Sequence, residues 1–450
     1  MNDVRVSVLL ALSLLGTGCA TAPPQANDSQ VATAVINAGS STARLPAPDD
    51  PYLDPRFLET GLTANRAVQA ALVNNPQVRA QLARLDAAQA ERVQAGLLAN
   101  PMLDLMALRP DGGGRIELQY SLMQDLFDLF TRSRRIAVAD AASRVLEADV
   151  IGQLVALVQD TKAAYYEAIA AQALLASVRD GWALENEILQ LRTGEARQGA
   201  IRASTIAEQQ AIVSMQAHEL QAAEAALAKA RAALALQLGL PSSAGIRLPT
   251  SFPAFVLPGI DEPALQALAS THRAALAAAD AGVQQARRDR ELSTGVLRAT
   301  QPSVGPAGMR ETSGMNFAGA GLQLALPIFD TGRARRDLAD AQVAQAQFSA
   351  EAVRRQVPLE VELAIANLVA ADQAAGHADH HLAQQTRLET LARQTYRQGA
   401  TDSSAVFDAR RARLASVKDR IEAQRARWAA AVDLERATGV AVLDAAAGRP

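Results

Sequence analysis

A single cysteine in 450 residues leaves no disulfide framework and no cysteine-built metal site. Aromatic residues make up only 4% and charged residues 20%, little for a globular enzyme of this length. No charge of one sign dominates either: 44 Lys and Arg stand against 47 Asp and Glu, a net of −3, without the clustered basic surplus that nucleic-acid binding needs. Catalytic signatures are missing. There is no G-x-S-x-G, no H-E-x-x-H and no Walker-type loop, and Gly112-Gly113-Gly114 joins two strands instead of opening a helix, so it does not suit phosphate. The chain is therefore expected to be no enzyme and to carry no cofactor.

What is present begins with an export signal. One positive charge lies in the first five residues, residues 6–15 are almost wholly apolar, and Gly16-Thr17-Gly18-Cys19 follows, the order of a charged region, an apolar core and a small-residue cleavage zone. An apolar run of about ten residues is too short to span a bilayer. The segment resembles a bacterial lipoprotein signal, in which the lone Cys19 would be the acylated first residue; Gly16 stands where Leu is commonest. Ordinary cleavage after Ala20-Thr21-Ala22, ahead of Pro23, is the alternative. Because Ala20 is not Asp, the usual sorting rule of Gram-negative lipoproteins points to the outer membrane. Residues 1–18 then form the signal peptide and 19–57, rich in Ala, Ser, Pro and Asp, a lipid-anchored flexible leash.

Beyond the leash the chain repeats itself. Ala139-Asp140-Ala141 recurs as Ala339-Asp340-Ala341 and Arg197-Gln198-Gly199-Ala200 as Arg397-Gln398-Gly399-Ala400, with Thr131 matching Thr331, Ser204 matching Ser404, Glu208 matching Asp408 and Gly239 matching Gly439, all at one offset of 200. An identical tetrapeptide and glycines in step mark a tandem duplication, 58–250 and 257–445, around a proline-containing connector.

Each half has the same order of elements. A helix comes first, 63–98 with a break at Asn74-Asn75-Pro76, and 262–297 in the second half. A strand pair follows, 102–109 and 115–123 around Pro110-Asp111-Gly112-Gly113-Gly114. In its second member Ile116, Leu118, Tyr120 and Leu122 alternate with Glu117, Gln119 and Ser121, giving one apolar and one polar face. The second half offers 318–326 and a poorly defined partner within 302–309. A half-buried soluble sheet would alternate in the same way. The length also suits a tilted transmembrane strand, but four strands cannot close a barrel, and open edges cannot face lipid, so several copies would have to share one. A long helical pair completes each half. Residues 131–196 contain no proline and 204–238 neither proline nor glycine, so the first helix would run about 100 Å and the second about 50 Å, and such helices need partners along their length. The pairs turn at the two Gly-Ala tips, and Pro358 should kink the rising helix of the second.

At this point the chain resembles the TolC family of outer-membrane efflux channels, over residues 60–440. Leu326-Pro327-Ile328-Phe329-Asp330-Thr331-Gly332-Arg333 is similar to the family's segment between last strand and long helix. Leu72-Val73-Asn74-Asn75-Pro76-Gln77-Val78-Arg79 resembles its N-terminal helix signature. Tyr396-Arg397-Gln398-Gly399-Ala400 with Val406-Phe407-Asp408-Ala409-Arg410 resembles its second hairpin tip. The resemblance implies a mainly α fold with a small β part: a homotrimer whose long hairpins form an α-barrel and whose four strands per protomer complete a shared twelve-stranded barrel in outer-membrane lipid. It implies gated, passive exit of drugs, small molecules or metal ions, with a periplasmic adaptor and an inner-membrane transporter as partners. A periplasmic structural or adaptor coiled-coil lipoprotein, or the duct of type I protein secretion, is the alternative.

Two sets of residues follow from the resemblance, and two more from position and spacing alone. The tips, Arg197-Gln198-Gly199-Ala200 and Arg397-Gln398-Gly399-Ala400, would meet the adaptor; the family commonly has Val-Gly-Leu there, and here only the glycines carry over. Asp408 matches the second of two aspartates that narrow the family's periplasmic entrance, with Ala405 in place of the first, and Glu208 is its counterpart in the first half. In a trimer these acids would form rings that favour cations. Two basic clusters, Arg132, Arg134, Arg135 and Arg333, Arg335, Arg336, would flank the membrane band. His377 and His381, one helical turn apart beside Asp379 and His380, have metal-chelating spacing, but no motif anchors them and they are not assigned as a metal site.

Overall fold

The computed structural model describes residues 28–39, 44–46, 51–53, 61–243, 245–257, 259–295, 298 and 300–442. Cys19, the signal segment and Ala20-Thr21-Ala22 lie outside the described residues. Two compact units emerge, one built from Ala83–Glu147 with Ala278–Ala350, the other from Gln30–Leu82, Ala148–Ala277 and Glu351 onward. Among the described residues no helix is long and apolar enough to cross a membrane.

The first unit holds a four-stranded antiparallel sheet in the order β1 (Met102–Leu108), β2 (Glu117–Asp125), β3 (Ser303–Arg310) and β4 (Asn316–Gln323). β3 is the ill-defined partner within 302–309. Its pattern is weak because Gly305, Pro306 and Gly308 interrupt it. A Cβ on Gly305 would stand 1.8 Å from the Leu122 carbonyl oxygen, and one on Gly308 2.5 Å from the Tyr120 ring, so this strand approaches β2 where only glycine fits. β4 starts two residues earlier than expected and ends at Gln323, although the apolar alternation runs on through Leu324 and Leu326.

The helices, in chain order, are α1 (Asp28–Gly39), α2 (Ala64–Asn74), α3 (Pro76–Ala95), α4 (Leu126–Arg197), α5 (Ala203–Gln237), α6 (Glu262–His272), α7 (Ala274–Ser293), α8 (Arg333–Arg397) and α9 (Ser403–Thr438). In the first unit the repeated Ala-Asp-Ala tripeptide joins neighbouring helices. Asp140 of α4 pairs with Arg92 of α3, and Asp340 of α8 pairs with Arg290 of α7. Ala141 and Ala339 are buried beside them.

In the second unit the helical hairpins α4/α5 and α8/α9 pack small and branched side chains together. One core joins Ala67, Ala71, Tyr165, Ile169, Leu234 and Val432, with Trp428 stacked on Tyr166 at 4.2 Å. Another joins Leu265, Ala269, Val361, Leu368 and Leu434. Helix α8 continues through Pro358, whose neighbours Val357 and Val361 are buried and hold the backbone where one helical hydrogen bond is lost. Between the hairpins Lys162 and Glu435 form a buried ion pair at 2.7 Å.

The helix expected over 262–297 is present as α6 and α7, with a break between them that no proline marks. The helix breaks at Arg273, whose ψ of 109° is extended, just as α2 breaks at Asn75 with ψ of 118°. Both breaks serve the same contact. Asn75 Nδ2 donates to the Gln237 carbonyl at 3.0 Å, and the Arg273 guanidinium donates to the Arg436 carbonyl. The glycine ending each return helix, Gly239 at φ +67° and Gly439 at φ +77°, then lies against the break. A Cβ there would stand 2.5 Å from Asn75 Cα or 2.8 Å from the His272 carbonyl oxygen. The leash is corrected in part: residues 28–39 are helical, with Val31, Val35 and Ala38 buried. Two hydrogen bonds hold the segment, from Gln159 Nε2 to the Ala38 carbonyl at 3.3 Å and from the Ala441 amide to the Asn37 carbonyl at 2.8 Å.

Candidate functional site

The sheet has its faces the wrong way round for water. Register puts Leu103 opposite Leu122, Leu105 opposite Tyr120 and Ala107 opposite Leu118 on one face, continued by Val304 opposite Leu322 and Pro306 opposite Ala320. This apolar row is exposed, with Leu103 at 64%, Leu105 at 62% and Leu322 at 65%, and on β1 the other row is exposed as well, Met102 at 74%. On β2 the polar row, Glu117, Gln119 and Ser121, is half-buried instead. A hollow of about 440 Å³ lies on that side, lined by Asp104, Met106, Gln119, Ser121, Met309 and Phe317. A soluble sheet would cover its apolar face with helices or a second sheet. Here nothing among the described residues covers it, and β1 and β4 leave open edges.

The two tips are near copies. Gly199 at φ +71° and Gly399 at φ +73° turn the chain in the left-handed region that glycine alone enters freely. Ala200 N donates to the Glu195 carbonyl at 2.9 Å and Ala400 N to the Thr395 carbonyl at 3.0 Å, which satisfies the last carbonyls of α4 and α8. Arg197, Gln198, Gly199 and Ala200, like Arg397, Gln398, Gly399 and Ala400, are exposed. They differ in how the next helix starts: Asp402 caps α9 by accepting from Ala405 N at 3.3 Å, while Arg202 gives α5 no side-chain cap. A hydrogen bond from Ser404 to Asp402 holds that carboxyl below the usual carboxylate range.

Glu208 and Asp408 stand on the first turns beyond the tips, both exposed. Asp408 accepts from Arg411 at 3.1 Å and keeps 71% of its side chain exposed; Glu208 has no partner among the described residues. Their neighbours form a cluster that sequence reading missed. Arg411 grips Glu185 through two hydrogen bonds, Nε to Oε1 at 2.6 Å and Nη2 to Oε2 at 2.7 Å, and the fully buried Gln209 donates Nε2 to Glu185 Oε2 at 2.7 Å. One carboxylate on α4 thus ties down α5 and α9 beside the two candidate acids. Burial pushes the Glu185 carboxyl up, but the hydrogen bonds from Arg411 and Gln209 outweigh it and hold it below its ordinary value. No local spacing announces a contact across 226 residues. A similar clasp closes the second hairpin, where Glu389 pairs with Arg393 and Arg413.

Asp379 pairs with Arg420 at 2.5 Å and His381 contacts Gln385 at 3.2 Å; among the described residues no group of three or more His, Cys, Asp or Glu is arranged to hold a metal ion. In the basic clusters, Arg132 donates to the Gly96 carbonyl at 2.7 Å, Arg135 to the Leu97 carbonyl at 2.8 Å, and Arg335 pairs with Asp330 at 3.0 Å. These arginines fasten the starts of α4 and α8 to the segments beside the sheet.

Residues 262–440 match the outer membrane efflux protein family. The fold is that of solved outer-membrane channels. VceC of Vibrio cholerae shares 18% identity and a TM-score of 0.67, over 84% of this chain and 96% of that one. The CmeC channel of Campylobacter jejuni shares 15% and 0.69, over 88% and 94%. The open state of the MtrE channel of Neisseria gonorrhoeae shares 18% and 0.65, over 89% and 98%. No curated protein matches the sequence. The resemblance to the TolC family is borne out, by sequence in the second repeat and by fold along most of the chain.

Proposed function

We propose that three copies of this chain form the exit channel of a tripartite efflux system in the outer membrane of a Gram-negative bacterium, anchored there by a lipid on Cys19. The observation that carries this reading is the exposed apolar row of an open four-stranded sheet. Lipid covers such a row without cost, and the same strands from two further copies close the edges that hydrocarbon cannot tolerate. Strands of seven to nine residues are short but suitable for a tilted span of a thin apolar band. The polar row then faces water inside.

The tips supply the rest of the reading. Their exposed glycine turns present backbone and short side chains to a periplasmic adaptor, which in turn would connect to an inner-membrane transporter. Asp408 and Glu208 line the periplasmic entrance, where exposed carboxylates in a ring concentrate cations. The Glu185 cluster holds α4, α5 and α9 together behind them, so the entrance widens when that cluster is pulled apart. The channel conducts passively, and energy comes from the transporter.

The test is the reversal potential of the purified channel in planar bilayers under a salt gradient. Asp408→Asn should keep the conductance and lower the preference for cations. Unchanged selectivity would remove Asp408 from the entrance.

A further inference from the structure

The two halves differ where the sheet passes into the long helices. β2 runs into α4 with no residue between them, whereas a connector, residues 324–332, separates β4 from α8. Leu326, Ile328 and Phe329 of that connector are exposed, Phe329 to 99%, and Phe130 is exposed near the start of α4. In the chain the connector follows directly on Leu322, the last residue of the apolar row. Arginines stand just beyond these side chains, and they are of two kinds. Arg132 and Arg135 donate to the Gly96 and Leu97 carbonyls, and Arg335 pairs with Asp330. Arg134, Arg333 and Arg336 are exposed and have no partner among the described residues. Arg134 lies one helical turn beyond Phe130, and Arg333 opens α8 four residues after Phe329, with Arg336 one turn further on. The carboxylates nearby do not balance them. Asp125 accepts from the Phe127 amide, Asp128 from the Ala99 amide and Arg135, and Asp330 from the Gly332 amide and Arg335, so only Asp337 is unpaired among the described residues of these stretches.

An exposed apolar run that ends in unpaired cations fits an amphiphile, with hydrocarbon against the first and an anionic head on the second. Arginine suits that end of the surface. Its stem lies along apolar groups while the guanidinium reaches outward, and its planar fork takes a phosphate oxygen pair through two hydrogen bonds. A soluble acidic partner would satisfy the arginines, but it would leave bare the apolar row that leads to them. We propose that this collar, Arg134, Arg333 and Arg336 with Phe130, Ile328 and Phe329, binds the headgroups of anionic phospholipid, a phosphodiester with no ammonium to balance it, in preference to zwitterionic lipid. The arginines that hold the helix starts in place are thereby distinct from those that meet the membrane. The inference rests on the reading that the strands lie in the membrane.

The test is native mass spectrometry of the full-length protein in detergent, titrated with phosphatidylglycerol or with phosphatidylcholine of the same acyl chains. The natural protein should hold phosphatidylglycerol about tenfold or more tighter, as several arginines at an anionic surface imply. Changing Arg134, Arg333 and Arg336 together to Gln should bring the two lipids level. Arg310→Gln, which removes another exposed and unpartnered cation at the far end of β3, should leave the preference intact. Equal binding of the two lipids by the natural protein, a preference that survives in the triple variant, or one lost as fully in Arg310→Gln overturns the proposal. Lipid A carries phosphates from another source, and its binding in place of phosphatidylglycerol when both are offered would overturn the phospholipid assignment. Dissociation of the copies in the triple variant with phosphatidylglycerol still bound overturns it as well and assigns the arginines to the contact between chains. If the natural protein binds neither lipid, the membrane reading itself fails, which the other outcomes leave standing.

Discussion

At the scale of single residues, the matched pair of acids differs in its surroundings. Asp408 leans on Arg411, which is itself committed to Glu185, whereas Glu208 is unpaired among the described residues. The offset of 200 found both acids, but not the carboxylate behind them, because Glu185 has no counterpart at the same offset: Gln385 stands there. Glu185→Gln keeps the shape and removes the charge, and should cost about 1.5–3 kcal/mol of stability at neutral pH, the range for hydrogen bonds to a charged group. The sign of the pH dependence follows from a folded-state carboxyl held below its ordinary value of 4.5. Its contribution is complete above that value and disappears as pH falls through the lowered one. Thermal melts of the natural protein and the variant should therefore differ at pH 7 and converge in strong acid. A constant gap at both pH values would mean that the charge of Glu185 is not what matters.

Among the elements, the long helices were the most legible, since proline-free stretches and tip glycines bound them closely, and α4 and α5 run where composition placed them. The break in the first helix was legible only where proline marked it. In the second half Arg273 makes the same break through a guanidinium contact with the far end of α9, a long-range cause that leaves no local trace. Gly239→Ala should expose how tight this junction is. The new Cβ meets three backbone atoms within 2.7 Å at a positive φ, so a loss of at least about 2 kcal/mol is expected in denaturant titration. A neutral effect would show that the junction relaxes freely. The strands carry a separate prediction. Leu105→Lys on the apolar row should cost about 2–4 kcal/mol if the strand crosses lipid, lowering the yield of heat-modifiable channel in outer-membrane fractions. Gln119→Lys, one register position away on the inner row, should be tolerated. Equal tolerance of both would argue that the apolar row does not face lipid.

For the molecule as a whole, the proposed channel needs more than one copy of the chain. A sheet with two open edges and an exposed apolar face is stable only with neighbours, and the duplicated hairpins repeat that incompleteness in helical form. The alternation of β2 was visible in the sequence, yet whether its apolar face was inside or outside could not be read from it, since both arrangements obey the same period of two. In the structure Leu103, Leu105 and Leu322 are exposed with nothing among the described residues over them, whereas Glu117, Gln119 and Ser121 of β2 are half-buried. Imaging of single particles of the full-length protein in detergent tests the central claim most directly. Three copies around an open lumen, with the four strands of each joined edge to edge in one ring, is the predicted result. A monomer, or a closed bundle without a lumen, would contradict it.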